Sequence, residues 1–253
     1  MSSKRSSILA EDPELAERLS DERRREALHD CLAPTIHVRV GNWAPETQAP
    51  RMSYGIGLLV LEGVLTRRVG LDGRFGAELL GKGDLLRPWQ HEDHGTTLPH
   101  TRDWWVLRPC RMAVLDSDFT VRLARYPQIT AALFGRAVRR SRQLAVNMAI
   151  IHQPRTDLRL HMLFWELADR WGTVRGDGVY LPMRLTHAML AELVAATRPT
   201  VSKALSELAD SGAVRWTGES WLLAGDPPME LEAVGSVSLL SERPDRPERS
   251  TSA

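Results

Sequence analysis

The sequence predicts an α+β chain: an antiparallel β-rich sandwich or barrel, a long helix, and a C-terminal winged helix-turn-helix. Three observations carry this. Short apolar runs punctuated by Gly and Pro fill residues 33–117. A long helical repeat follows Pro127. Two capped helices and a hairpin pattern then lie between Thr186 and Ala224.

The 253 residues are enough for more than one domain. Apolar residues make up 43% and charged ones 26%, as in an ordinary globular protein. The net charge is +1, so any attraction for nucleic acid must come from a local surface. Cys31 and Cys110 stand far apart with no Cys-x-x-Cys pair. This argues against an iron–sulfur cluster, a structural zinc site or a disulfide framework, and fits a reducing cytoplasm. No targeting signal is visible in Met1-Ser-Ser-Lys-Arg-Ser-Ser, and no run is apolar enough to span a membrane.

Residues 1–32 read as a charged helical extension, with Arg23-Arg24-Arg25 in an acidic run. Leu15, Leu19 and Leu28 give a thin stripe for a helix from Pro13 to His29. Residues 33–117 read as strands at Ile36–Val40, Ser53–Leu65, Thr66–Leu71, Gly76–Leu80, Asp84–Leu86, Trp104–Leu107 and Arg111–Leu115. Turns are expected at Gly41-Asn42, Glu62-Gly63, Asp72-Gly73 and Gly81 to Gly83.

Residues 118–153 read as a short helix, Asp118 to Ala124, and then a long one from Pro127 to about His152. Leu133, Ala137, Ser141, Leu144, Met148 and Ile151 form a stripe rich in small residues, suited to packing on a second copy. The alternative is a helix lying on its own sheet domain. Residues 154–225 hold the next helix, capped by Thr156 or Asp157 and closed by Gly172, then a strand at Val179–Leu185 and the helix-turn-helix. Residues 226–253, with their prolines, serines and acids, read as a disordered tail.

Thr186 is a good N-cap, and Leu190, Leu193 and Val194 face inward. The turn Ala195-Ala196-Thr197 follows, with Thr197 capping a second helix that takes Pro199 in its first turn. Val201, Leu205 and Leu208 face inward, which turns Arg198, Thr200, Ser202, Lys203 and Ser206 outward. Short hydroxyls and cations there can reach phosphates and base edges in a major groove. Ala213–Trp216 and Trp221–Ala224 read as a wing. Residues 154–225 carry eight cations and eight anions, so phosphate contact depends on how these sort on the surface.

Leu185–Leu208, with Thr197-Arg-Pro-Thr-Val-Ser-Lys-Ala-Leu205, resembles the helix-turn-helix of the cyclic-AMP receptor protein / fumarate–nitrate regulator (Crp/Fnr) family. Gly83-Asp84-Leu85-Leu86 is similar to that family's turn in its jelly-roll-type β-roll sensor. Arg111–Asp116, Phe119 and Tyr126-Pro127 are similar to its passage into the dimerisation helix, so the likeness covers residues 33–225. It implies a cyclic-nucleotide-binding-like β-roll, a homodimer, double-stranded DNA as ligand, RNA polymerase as a partner and a small-molecule effector. Thr197, Arg198, Thr200, Ser202 and Lys203 become the expected DNA-binding residues. Two departures matter. Pro199 stands where the family has a base-reading glutamate, and Lys203 where it has an arginine. The loop after Leu86 lacks the Gly-Glu-Leu turn and the arginine pair that hold a cyclic phosphate, so cyclic AMP is not expected as effector. The family's cluster-binding cysteines are absent too.

Arg87, Trp89, Arg102 and Trp104 are the candidate effector-binding residues. Core packing of the tryptophans and solvation of the arginines are the competing explanations. His91, His94 and His100, with Glu92 and Asp93, have spacing that could serve a metal, but a solvated loop explains them, and no metal or cofactor is expected. No nucleophile elbow, P-loop or dinucleotide fingerprint occurs, so no enzyme is expected. The expectation is a cytoplasmic, bacterial-type regulator. Its rival is a ligand-binding or protein-interaction module whose winged helix contacts protein.

Overall fold

The computed structural model describes residues 5–45, 55–88, 98 and 100–228. The expected strand start at Ser53, Trp89, most of the histidine-rich loop and the tail from residue 229 lie outside them. The first sheet has seven antiparallel strands: β1 (Arg5–Ser7), β2 (Leu32–Val38), β3 (Gly41–Asn42), β4 (Gly57–Leu71), β5 (Arg74–Gly81), β6 (Leu85–Leu86) and β7 (Thr101–Leu115). Their order is β1-β2-β7-β4-β5, with β3 on β7 and β6 on β4.

Leu58–Leu61 is buried without alternation because β4 is covered on both faces. Leu58 and Val60 join Trp43, Leu86, Trp104, Met112 and Val114 in the interior of the roll. Leu59 and Leu61 join Ile8, Leu15, Ala113, Leu115 and Phe119 on the outside. The N-terminal segment supplies that outer cover. It is not the single helix expected over Pro13–His29. A short helix α1 (Ile8–Glu11) and a 3-10 turn (Pro13–Ala16) precede α2 (Asp21–Asp30), whose N-cap Ser20 accepts from Arg23 N at 3.4 Å. Ser20 favours a cap over a helix interior, and it breaks the stripe.

The strands expected at Ser53–Leu65 and Thr66–Leu71 are one strand, and so are Trp104–Leu107 and Arg111–Leu115. Glu62-Gly63 is a bulge rather than a turn, because the β4–β7 register shifts between Val60 and Leu65. Gly63 has φ +99°, and a Cβ there would lie 2.3 Å from the Pro109 carbonyl oxygen. Pro109 falls where the pairing lapses, so β7 runs through it. Gly41-Asn42 pairs with β7 instead of turning. Asp72-Gly73 is a tight turn with both residues at positive φ.

After β7 come α3 (Ser117–Leu123) and α4 (Pro127–Ile151), with Pro127 at its start. The stripe expected along α4 divides. Leu133 is buried beneath the N-terminal segment, and Leu144 and Ile151 line a cavity against β4, β5 and the C-terminal region. The exposed row is instead Phe134, 70% accessible, followed by Ser141, Ala145 and Met148, 60% accessible, with half-buried Val138 between. Arg136 is bound to Asp12 and Arg140 to Glu78, so these two cations face the roll.

The C-terminal region comprises α5 (Thr156–Trp171), β8 (Thr173–Arg175), β9 (Gly178–Leu181), α6 (His187–Leu193), α7 (Arg198–Asp210), β10 (Val214–Trp216) and β11 (Trp221–Leu223). Its sheet order is β10-β11-β9-β8. Thr156 and Asp157 lie in the first turn of α5, and Arg155 occupies the cap position without a side-chain capping bond to the backbone. Val64 and Leu79 of the roll enter the C-terminal core, and Trp171 approaches Gly81 so closely that a Cβ there would be 2.9 Å from its ring. Among the described residues no helix is long and apolar enough to cross a membrane. Both thiols are buried, and burial pushes each up to about 11, which disfavours thiolate chemistry.

Candidate nucleic-acid interface

Both helices of the pair are fixed at their ends by the residues that the sequence singled out. Thr186 accepts from Met189 N at 3.2 Å, and Thr197 accepts from Thr200 N at 3.4 Å. Between them Val194 ends α6, and Ala195 turns the chain with φ +50°. Ala196 N closes the turn on Ala191 O at 2.9 Å. Arg159 of α5 donates to the carbonyls of Val194 at 3.2 Å and Ala195 at 3.4 Å, satisfying acceptors that the helix end leaves open. Sequence reading missed Arg159, since nothing in its spacing marks a residue 35 positions away as a brace.

Val201, Ala204, Leu205 and Leu208 are buried along the inner face of α7. They share a core with Leu160, Phe164 and Trp221, and the Phe164 and Trp221 rings lie 4.8 Å apart. Burying that stripe turns Arg198, Pro199, Thr200, Lys203 and Ser206 outward, and Ser202 lies half-buried beside them. The structure therefore brings four of the five expected DNA-binding residues, Arg198, Thr200, Ser202 and Lys203, to the outer side of α7, with the fifth, Thr197, exposed at its N-cap. His187, the first residue of α6, joins them through a 2.8 Å contact from Nδ1 to the Ser202 hydroxyl. Its helical position gave no sign of this, because the contact is made across the pair. The wing follows, its turn closed by Thr217 N on Ser220 O at 2.9 Å, with Arg215 exposed on β10.

The neutral charge tally sorts unevenly. Glu192 points at the roll, where it receives Arg68, and Glu166 and Asp169 line grooves against α4 and the roll. Asp157 is held by Arg155. Arg198, Lys203 and Arg215 are exposed on α7 and the wing, where Glu207, 3.7 Å from Lys203, Asp210 and Glu219 are exposed as well. Such a face can meet a polyanion even in a domain of no net charge.

The candidate effector residues are not brought to one place. Trp104 is 5% exposed inside the roll, edge-on to Trp43 at 5.7 Å. Arg87 is exposed past β6, and Arg102 is half-buried on β7. Trp89 lies outside the described residues. Cavities of about 320 and 340 Å3 lie instead where β4 and β5 meet α6.

Residues 158–227 match the Crp-like helix-turn-helix domain. A CRP-like cAMP-activated global transcriptional regulator of Mycobacterium tuberculosis is 29% identical over 147 residues. The match takes in 58% of this chain and spans 64% of that relative's length. A CooA mutant from Carboxydothermus hydrogenoformans superimposes with a TM-score of 0.61 at 14% identity, covering 91% of this chain and 96% of that one. A cyclic nucleotide-binding domain containing protein from Listeria monocytogenes gives 0.59 at 14% identity over 75% and 88%. FixK2 from Bradyrhizobium japonicum gives 0.56 at 17% identity over 79% and 96%. The chain thus has the fold of the Crp/Fnr regulators, and its residues 158–227 are a Crp-like helix-turn-helix domain.

Proposed function

We propose that the chain is a cytoplasmic, sequence-specific DNA-binding transcription regulator that works as a homodimer. The observation that carries this is the capped α6–α7 pair with Arg198, Thr200 and Lys203 exposed along α7 and Arg215 on the adjoining wing. A helix presented this way fits a major groove, its cations reaching phosphates and guanine edges. The exposed row Phe134, Ser141, Ala145 and Met148 supports pairing of α4 with a second copy. Two heads would then read half-sites about one helical turn, roughly 34 Å, apart. RNA polymerase is the expected protein partner of such a dimer.

The relative from Mycobacterium tuberculosis is described as cAMP-activated. For this chain we propose a different effector, because the expected phosphate-holding residues are absent and Trp43 and Trp104 are packed inside the roll. Effector binding would act by favouring one placement of the heads over another.

Gel-shift titration of the gene's own promoter region tests the reading. The expected result is a salt-sensitive complex that Arg198→Ala with Lys203→Ala weakens at least about tenfold. Binding that ignores both salt and the double substitution would overturn it. A winged helix that captures protein and leaves every duplex unbound would favour the interaction module instead.

A further inference from the structure

Arg198, Ser202 and Ser206 are spaced by four, so they line one stripe of α7. The Ser202 hydroxyl oxygen lies 3.1 Å from the Arg198 carbonyl and 2.8 Å from His187 Nδ1. A hydroxyl has one proton to give. The Arg198 carbonyl can only accept, whereas the role of Nδ1 depends on the imidazole tautomer. The arrangement that makes both contacts hydrogen bonds gives the Ser202 proton to the Arg198 carbonyl and has the imidazole donate from Nδ1. Ser206 gives its proton to the Ser202 carbonyl at 3.2 Å. Both serines are left with lone pairs and no free proton.

A serine in a major groove normally reads either kind of edge, because its hydroxyl can rotate. Here the rotor of Ser202 is held on one side by the helix carbonyl and on the other by His187. The backbone of His187 is in turn fixed by the Thr186 cap. Ser202 can then only accept from a base. In the major groove the exocyclic amino groups of adenine and cytosine are donors, whereas guanine O6 and thymine O4 would set oxygen against oxygen.

We propose that Ser202, positioned by His187, makes each half-site require an amino-bearing base, adenine or cytosine, on the strand that α7 faces. This rests on the DNA-binding reading above. It sets a division of labour on one helix: Arg198 and Lys203 donate, and the serine between them accepts. His187 is a positioning residue, acting on the base only through the Ser202 hydroxyl.

Selection from a pool of randomised duplexes with the full chain tests this. The wild type should enrich adenine or cytosine over guanine or thymine at one half-site position by about threefold to tenfold, as one hydrogen bond allows. Ser202→Ala should flatten that position alone. His187→Asn keeps a donor where Nδ1 stands and should retain the preference. His187→Phe keeps the ring without the donor and should lose it, with the rest of the half-site and the melting temperature unchanged. Guanine or thymine at every position, or a preference that survives Ser202→Ala, would overturn the inference while leaving DNA binding intact. Failure to enrich any duplex would overturn both. Independently of the variants, the nitrogen-15 shifts of neutral His187 in the free protein should show the proton on Nδ1. A proton on Nε2 would overturn the inference.

Discussion

Arg68 on β4 grips Glu192 on α6 with two parallel hydrogen bonds, Nε to Oε2 at 2.8 Å and Nη2 to Oε1 at 2.7 Å. Its guanidinium also lies 4.5 Å above the Phe75 ring. The two residues are 124 positions apart and join the roll to the helix-turn-helix. Val64 and Leu79 of the roll pack in the same core as Leu190 and Leu193 of α6, and cavities flank the helix on either side.

The pair should act as a latch. Both side chains keep about a quarter to a third of their surface, at 32% and 25%, so the stability cost of losing it should be about 1 kcal/mol or less. The mechanical effect should be larger than that figure suggests. Arg68→Ala or Glu192→Ala should speed hydrogen exchange at the amides of α6 and β5, and the charge-reversed pair Arg68→Glu with Glu192→Arg should restore much of the protection. Exchange that is identical in wild type and single variants would remove the latch from consideration.

Ala195 sits at φ +50° in the turn between α6 and α7. A Cβ in the left-handed region crowds the backbone, and only glycine escapes that cost. Ala195→Gly should therefore stabilise the head by about 0.5–1 kcal/mol, after the extra freedom glycine gains in the unfolded chain is subtracted. Ala195→Val should destabilise it by more than 1 kcal/mol, roughly, because branching worsens the same clash. Thermal melts of both variants decide the matter. A lower midpoint for the glycine variant would mean that the alanine methyl makes a contact worth more than the strain.

The parts of the fold legible in the sequence are those set by local chemistry. Thr186, Thr197 and Pro127 act within a turn of where they stand, and each does what its side chain favours. Readings failed where a distant partner decides. Gly63 looks like a turn until Pro109 packs against it, and Ile8 looks like part of a charged helical extension until β4 and β7 offer it an apolar face. The reading face of α7 was legible because burial of Val201 and Leu205 settles which way Arg198 and Lys203 point. Arg159 and His187 were not, since each acts on a neighbour brought close only by folding.

Trp104 offers a test of how the roll is filled. It is buried against Trp43 and shares a core with Leu58, Leu65, Leu86 and Met112. Trp104→Ala should cost about 3–5 kcal/mol through lost burial and the cavity left behind. Trp104→Phe should cost much less, since a ring still meets the edge of Trp43. Denaturant midpoints measure both. An alanine variant as stable as wild type would mean that the tryptophan is not core, and would return it to the candidate effector site.

Tyr126 and Asp30 couple the N-terminal segment to the base of α4. The Tyr126 hydroxyl donates to Asp30 Oδ2 at 2.8 Å, and this bond is the main reason the carboxyl is held below its ordinary 3.8. A depressed carboxylate stabilises the fold above its ordinary value, and the contribution disappears as pH falls through the lower folded value. The phenol is pushed up to about 12, first by burial and then by this bond. Its contribution is present below 10.0 and is lost as pH rises toward 12. Tyr126→Phe should thus cost about 1 kcal/mol at neutral pH, modest because Asp30 is partly exposed. The gap between variant and wild type should close on acidification below 3.8. A gap that stays constant from neutral pH to pH ~2 would show that the bond to the ionised carboxylate contributes nothing.

The exposed row on α4 can be tested by charge. Phe134, Val138, Ser141, Ala145 and Met148 alternate by four and three, the spacing of a two-helix seam, and Ala145 is the fourth of the five. Two copies paired in parallel along this row would put each Ala145 against its symmetry mate, where a carboxylate would face its own copy in a dry contact. Ala145→Glu should therefore convert a dimer to monomer in sedimentation at micromolar concentration, and Ala145→Leu should not. Because residue 145 is exposed in one copy, neither substitution should lower the melting midpoint of the isolated fold. DNA affinity should fall with the dimer, since one head loses the half-site that its mate would hold. A glutamate variant that stays dimeric would place the interface on another face and remove α4 as the element that spaces the two reading helices.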